Sequence, residues 1–145
     1  MGPLRGDDGA GSALYRGGMT GFLIVFLGAG IGGMLRHGVN LGCARLCGTD
    51  FPWGTLTVNV VGSFIMGVFA AWLAFRAGES WTPHTRLFLA TGILGGFTTF
   101  SAFSLDTMLL WERGAITAGA LYVLSSVVVS VLALAAGLSL IRWLS

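Results

Sequence analysis

The third apolar stretch of the chain reads Thr91-Gly92-Ile93-Leu94-Gly95-Gly96-Phe97-Thr98-Thr99-Phe100-Ser101-Ala102-Phe103-Ser104. Two adjacent glycines followed by two β-branched threonines make a poor helix centre. Backbone groups freed by a break inside a membrane are tolerated only where protein, ion or water satisfies them. Half-helix ends at the midplane can hold ions. This stretch therefore predicts a membrane helix that is broken at mid-membrane, an arrangement typical of an ion pathway.

The composition agrees with a membrane location. The chain has 145 residues, of which 54% are hydrophobic and 10% are charged, whereas soluble domains carry about a quarter charged residues. Mean hydropathy is +0.83. A bilayer can accommodate this much apolar side chain, but a soluble core of this size cannot. The length predicts one compact membrane domain with no room for a soluble catalytic one.

Four apolar stretches free of charged residues are long enough to span a bilayer, which takes roughly 20 residues. They cover residues 19–35, 53–75, 87–105 and 115–141. The predicted fold is therefore all-α, with four transmembrane helices and a channel domain over residues 19–145. Residues 1–18 are rich in glycine and polar, so we expect a disordered N-terminal extension. Met19 begins a complete first span and is an alternative start to Met1.

The arginines are nearly balanced between the two sides of the predicted membrane domain. Arg5, Arg16, Arg76, Arg86 and Arg142 lie on the side of the termini, and Arg36, Arg45 and Arg113 lie on the other; the two sides are nearly balanced once the N-terminal extension is discounted. The positive-inside rule needs a clear asymmetry to fix one orientation. Two interpretations remain open on charge alone: a weak orientation set by the first helix, or insertion in both orientations.

Two of the spans carry stripes of neutral polar side chains. Positions four residues apart lie on one helix face, and this spacing occurs twice. One stripe is Thr55, Asn59 and Ser63, and the other is Tyr122, Ser126 and Ser130. Hydrogen bonding between helices would explain either stripe alone, and a water-filled track would explain both.

The third span adds two pairs of residues that share faces, Phe100 with Phe103 and Ser101 with Ser104. Core packing is the usual reason for an aromatic pair, but this one follows directly after the predicted break. Arg36, at the end of the first span, is either an interfacial anchor or a positive charge at a pore mouth.

What the spans lack also guides the interpretation. Asp106, Glu112, His37 and His84 all fall at predicted span ends, so no titratable group is expected inside the membrane. A small exporter of the multidrug type needs such a group, which makes this alternative less favoured. A non-transporting assembly protein is a second alternative, although it would not explain two polar stripes beside a broken helix. The sequence contains no metal-ligand cluster and no nucleophile with a base, so we do not expect an enzyme.

Three blocks together resemble the CrcB/Fluc family of fluoride channels. They are Gly30 to Arg36, Trp53 to Phe64, and Thr91 to Ser104, and the similarity extends over the whole chain from Met19 onward. The resemblance implies a fluoride-selective channel in the cell inner membrane that exports fluoride passively and relieves its toxicity. It also implies an antiparallel, dual-topology homodimer with two fluoride pathways at its interface.

The resemblance also implies roles for individual residues. The main-chain carbonyls of Gly95 and Thr98 would hold a structural sodium ion that is not transported. The fluoride path would use Asn59, Phe100, Phe103, Tyr122, Thr55, Ser126 and Ser130, with Ser101 and Ser104 beside the phenylalanines and Arg36 in a vestibule. Two positions depart from the family pattern: Ala102 replaces a usual threonine, and Asp106 replaces a usual glutamate.

Overall fold

The computed structural model describes residues 8–75 and 83–144. Most of these residues are helical, and neither range contains a strand. The first two helices are α1, Asp8–Cys47, and α2, Trp53–Phe75. The third span begins with three short segments. These are α3 (Pro83–Arg86), a π-helical segment (Leu87–Leu94) and α4 (Gly95–Phe97). It continues as α5, Phe100–Glu112, and the chain ends with α6, Ile116–Leu144.

Four helical stretches are long and apolar enough to cross a membrane: Gly18–Cys47, Trp53–Ala74, Pro83–Glu112 and Ile116–Leu144. This agrees with the predicted all-α fold of a multi-pass membrane protein. Residues 8–18, which fall within the predicted disordered extension, are described as the first turns of α1, and residues 1–7 lie outside the described ranges. Disorder over residues 1–18 stays a prediction.

Two predicted span ends were too early. The predicted connection after Arg36 is helical as far as Cys47, and α1 ends only where Gly48 adopts a φ of 78°. Likewise α5 continues through Asp106 to Glu112, so Asp106 lies within the third helical stretch and the prediction that it falls at the span end is wrong. The sequence rule ended each span at its first charge, whereas a helix ends where its backbone hydrogen bonds end.

The surface of this chain is apolar and part of its interior is polar. Phe22, Phe26 and Phe100 are among the many large apolar side chains that are exposed. Thr55, Thr99 and Ser126, in contrast, are buried. This distribution suits a lipid surround, where apolar side chains need no cover and polar groups need partners.

The first half of the third span packs against α1 through glycines. A Cβ atom added at Gly28 would lie 2.8 Å from Gly92 Cα, and one added at Gly96 would lie 2.7 Å from Ala29 Cα. Neither position has room for a side chain, so the two backbones are in direct contact, as small residues allow in membranes. The pairs Gly28–Gly92 and Gly32–Gly96 show that α1 and this half-span run parallel.

The backbone leaves the helical conformation at the two threonines. Thr98 has φ −78° and ψ 157°, and Thr99 has φ −155° and ψ 121°, both extended. The glycine pair before them is helical: Gly95 and Gly96 belong to α4. The threonines are thus the non-helical residues. Thr98 still bonds to the Leu94 carbonyl through its N–H and its Oγ1, and the Thr99 backbone pairs with Asn59. Of the two glycines, Gly96 packs closely against Ala29, whereas Gly95 is exposed.

Candidate functional site

Asn59 holds the extended segment of the third span from the side. Its carboxamide Oδ1 accepts a hydrogen bond from the Thr99 N–H at 2.9 Å, and its Nδ2 donates to the Thr99 carbonyl at 3.0 Å. The side chain therefore pairs with the Thr99 backbone in the manner of a neighbouring strand. The second hydrogen on Nδ2 is not used in this pair. Asn59 thus both satisfies the extended backbone and retains a donor.

The Thr99 side chain caps the helix that follows. Its Oγ1 accepts from the Ala102 N–H at 3.2 Å and lies 3.2 Å from the Ser101 Oγ. A threonine at this position satisfies one of the N–H groups that every helix start leaves without a partner. The cap explains how α5 can begin abruptly at Phe100.

These two interactions remove the helical donors of two carbonyl groups. In a continuous α-helix the Thr99 N–H would donate to the Gly95 carbonyl, and the Ala102 N–H would donate to the Thr98 carbonyl. Here the first N–H donates to Asn59 and the second to Thr99 Oγ1. Gly95 and Thr98 thus present carbonyl oxygens that have lost their α-helical partners.

Asp106 joins α2 and α6 to the second half of the third span. Its Oδ2 accepts from the Thr55 hydroxyl at 2.6 Å and from the Tyr122 hydroxyl at 3.4 Å. Tyr122 is completely buried and Thr55 is 7% exposed. Both hydroxyls are predicted donors of the pathway, but in the structure both donate to the Asp106 carboxylate, which the sequence patterns did not indicate. Asp106 lies three residues after Phe103 and therefore on the same helix face. This spacing is the sequence feature that indicates its place beside the predicted path.

An aromatic row runs beside these polar groups. The ring centroids of Phe100 and Phe103 are 5.4 Å apart, and those of Phe103 and Tyr122 are also 5.4 Å apart. Phe100 is 78% exposed, so the row ends on the protein surface next to the extended segment. The structure therefore places the two predicted phenylalanines and the predicted tyrosine side by side.

A cleft of about 550 Å³, which we call the serine cleft, opens beside Phe100 and Phe103. The buried oxygens of Ser126 and Ser130 have no hydrogen-bond partner among the described residues. A buried hydroxyl normally has one, so both are free to serve a ligand. The serine cleft brings together most of the predicted site residues: Asn59, Gly95, Thr98, Phe100, Phe103, Ser126 and Ser130.

Five predicted residues do not line the serine cleft: Thr55 and Tyr122, which bond to Asp106, and Ser101, Ser104 and Arg36. Ser104 donates to the Phe100 carbonyl within its own helix, and Ser101 lies against Thr99. Arg36 is partly exposed and does not line this cleft. It lies one turn beyond Gly32, whose partner across the helix contact is Gly96, so it is level with Phe100 rather than at a helix end. Its role as an interfacial anchor or as a positive charge at a pore mouth stays a prediction.

The comparison with known proteins covers nearly the whole membrane domain. Residues 23–138 match the family model described as CrcB-like protein, Camphor Resistance (CrcB). A protein of Nitrobacter hamburgensis named fluoride-specific ion channel FluC 2 is 56% identical over 126 residues, covering 86% of this chain and 98% of the relative. A fluoride-specific ion channel FluC of Rhodopseudomonas palustris strain BisB5 is 56% identical over 121 residues, covering 83% and 96%.

Proposed function

This chain belongs to the CrcB family, and we propose that it is a fluoride-specific ion channel through which fluoride leaves the cytoplasm passively. The observation that carries the proposal is the serine cleft, where two buried hydroxyl oxygens without a partner among the described residues share the lining with Phe100 and Phe103. The cleft offers hydrogen-bond donors without formal charge. Such a lining suits conduction of an anion rather than its retention.

The donor chemistry fits a small, strongly hydrated anion. Fluoride gives up its water only where other donors replace it, and Asn59, Ser126 and Ser130 provide hydroxyl and amide hydrogens. A phenyl ring is positive at its edge, so Phe100 and Phe103 can contact an anion edge-on. Neutral donors bind weakly enough for the ion to leave, which conduction requires.

Passive export follows from the acid chemistry of fluoride. Hydrogen fluoride crosses membranes as a neutral acid and dissociates at cytoplasmic pH, which traps the anion. A channel in the cell inner membrane lets the trapped anion leave down its electrochemical gradient and so relieves toxicity. No energy-coupling group is needed for this function.

The exposed part of the site supports an antiparallel, dual-topology homodimer. Phe100 is 78% exposed beside the serine cleft, so one chain leaves the proposed path open along one side. A second copy in the opposite orientation would close it and supply a second path. The near balance of arginines on the two sides agrees with insertion in both orientations.

A structural sodium ion fits the interruption at Thr98 and Thr99, which we place at mid-membrane. The carbonyls of Gly95 and Thr98 have lost their helical donors, and a hard cation prefers oxygen ligands. Both residues line the serine cleft, and Gly95 is exposed there. The ion would satisfy backbone oxygens that lipid cannot, and its charge would attract fluoride in a low dielectric.

Efflux from liposomes tests the proposed function. Purified protein in liposomes loaded with potassium fluoride is expected to release fluoride, measured with a fluoride electrode after addition of a potassium ionophore. Chloride-loaded liposomes provide the selectivity control and should retain their anion. Absence of fluoride efflux, or chloride efflux at the same rate, would contradict the proposal.

Sodium removal tests the cation site. Prolonged dialysis against a sodium-free potassium buffer is expected to abolish fluoride efflux and lower the melting temperature, and sodium is expected to restore both. A ligand present at a hundred times its Kd stabilises the folded state by about 2.7 kcal/mol, which a melting curve resolves. Equal efflux and equal melting temperature in the two buffers would count against the site.

A further inference from the structure

The aromatic row extends beyond Tyr122 to the loop between α1 and α2. The ring of Phe51 lies 5.5 Å from that of Tyr122, at an interplanar angle of 89°. Phe51 in turn lies 4.6 Å from Trp53. The continuous sequence of ring contacts is therefore Phe100, Phe103, Tyr122, Phe51 and Trp53. It runs from the extended segment of the third span to the beginning of α2.

Phe51 also lines a second cavity, which we call the aspartate cavity. Its volume is about 260 Å³, and its lining includes Asn40, Phe51, Thr55, Asp106 and Arg113. Phe51 therefore joins this cavity to the buried ring of Tyr122. Thr55 and Asp106 line the same cavity, so it adjoins the carboxylate cluster, whereas the serine cleft adjoins Phe103 on the other side.

The aspartate cavity has the features of a water-filled entrance to an ion path. The Asn40 Oδ1 is buried and has no partner among the described residues. A buried polar oxygen in a polar space large enough for water is normally satisfied by water. The cavity also lies beside Gly48–Pro52, where α1 has ended and α2 has not begun.

An anion crossing this region meets a shortage of donors. The hydroxyls of Thr55 and Tyr122 both bond to the Asp106 carboxylate. That carboxylate also repels an anion, and Asp50 adds a second negative charge against the single Arg113 in the same cavity. Next to Asp106, ring edges are weakly positive groups that stay available to an anion. Phe103 and Phe51 contact Tyr122 and could carry an anion past the cluster.

We propose that Phe51 is a third phenylalanine of the fluoride path, lining its passage from the Asp106 cluster into the aspartate cavity. This inference rests on the proposed fluoride channel function and adds one residue and one mouth to it. The ring acts through its positive edge, so aromatic character, and not only volume, is what the position requires.

A substitution series at Phe51 tests this role by fluoride efflux. Phe51→Ile keeps apolar bulk without a ring and is expected to lower the efflux rate by roughly tenfold, the loss of one aromatic contact. Phe51→Tyr and Phe51→Trp keep a ring and should stay within about threefold of the unaltered protein. Phe22→Ile is the matched control, since Phe22 is 80% exposed on α1 and lines neither cavity.

A second series separates the ring edge from packing. Incorporating phenylalanine with an increasing number of ring fluorines at position 51 keeps the shape but reverses the quadrupole. Efflux is expected to fall stepwise while the melting temperature stays constant. Efflux unchanged along this series, or lost equally in the Tyr, Trp and Ile variants, would overturn the proposal for Phe51. Absence of efflux from the unaltered protein would instead overturn the channel function itself.

Discussion

Asn59→Asp is expected to abolish fluoride efflux. Two effects combine at this position. The carboxylate has no hydrogen to donate, so an oxygen faces the Thr99 carbonyl where Nδ2 now lies at 3.0 Å. That lost bond costs about 1–3 kcal/mol. The new negative charge is the larger effect: at 4 Å from a passing anion and an effective dielectric of 20, repulsion is about 4 kcal/mol. Efflux should fall on the order of a thousandfold.

The control for this substitution separates charge from hydrogen bonding. Asn59→Thr removes the pairing with Thr99 without adding charge, and we expect a smaller loss of efflux than in Asn59→Asp. The aspartate can still accept from the Thr99 N–H, so Gly95 stays without its helical donor and the sodium-dependent melting shift should persist. Efflux at the original rate in Asn59→Asp would show that an anion does not pass beside Asn59.

Phe100→Ile and Phe103→Ile are each expected to reduce fluoride efflux at least about tenfold, because isoleucine keeps apolar volume but has no positive ring edge. Phe103 contacts both Phe100 and Tyr122, so its loss interrupts the aromatic row. Phe100 ends the row and is 78% exposed, so its replacement should change the stability of one chain little. The measurement is again efflux from liposomes.

Folding and assembly have to be controlled in this pair. Phe26→Ile replaces a ring that is 73% exposed on α1 and lines neither cavity, and this variant should conduct at the original rate. Size-exclusion chromatography and melting curves identify a variant that has lost the proposed dimer or its fold. If folded Phe100→Ile and Phe103→Ile proteins both conduct normally, the ring edges do not contribute to the path.

Helices were predictable from this sequence because a bilayer imposes a length and an apolar composition on each span. The Ser126–Ser130 stripe and Asn59 were predictable for the same reason, since polar groups in lipid need partners. The resemblance supplied the roles of Gly95, Thr98 and the two phenylalanines. These roles remain predictions that the proposed experiments test.

Contacts between distant parts of the chain could not be predicted from the sequence. The Asn59–Thr99 pair joins residues 40 apart, and the Thr55–Asp106 bond joins residues 51 apart. Helical spacing within one span contains no information on either. The same limit hid the row from Phe51 to Tyr122, because Phe51 lies in a loop and belongs to no periodic pattern. Charge counting, in turn, placed Asp106 outside a helix that includes it.

The close contact of Gly28 with Gly92 has a consequence for biosynthesis. The first half of the third span packs on α1, which is already made when this half leaves the ribosome. The second half depends on α6, which is synthesised after it, since Tyr122 completes the bonding of Asp106. Thr98 and Thr99 thus separate two segments. The first can pack against α1 as soon as it is synthesised, and the second completes its contacts only after α6 has been synthesised. Until α6 inserts, the Thr55 hydroxyl is the one hydrogen-bond partner that the Asp106 carboxylate keeps among the described residues.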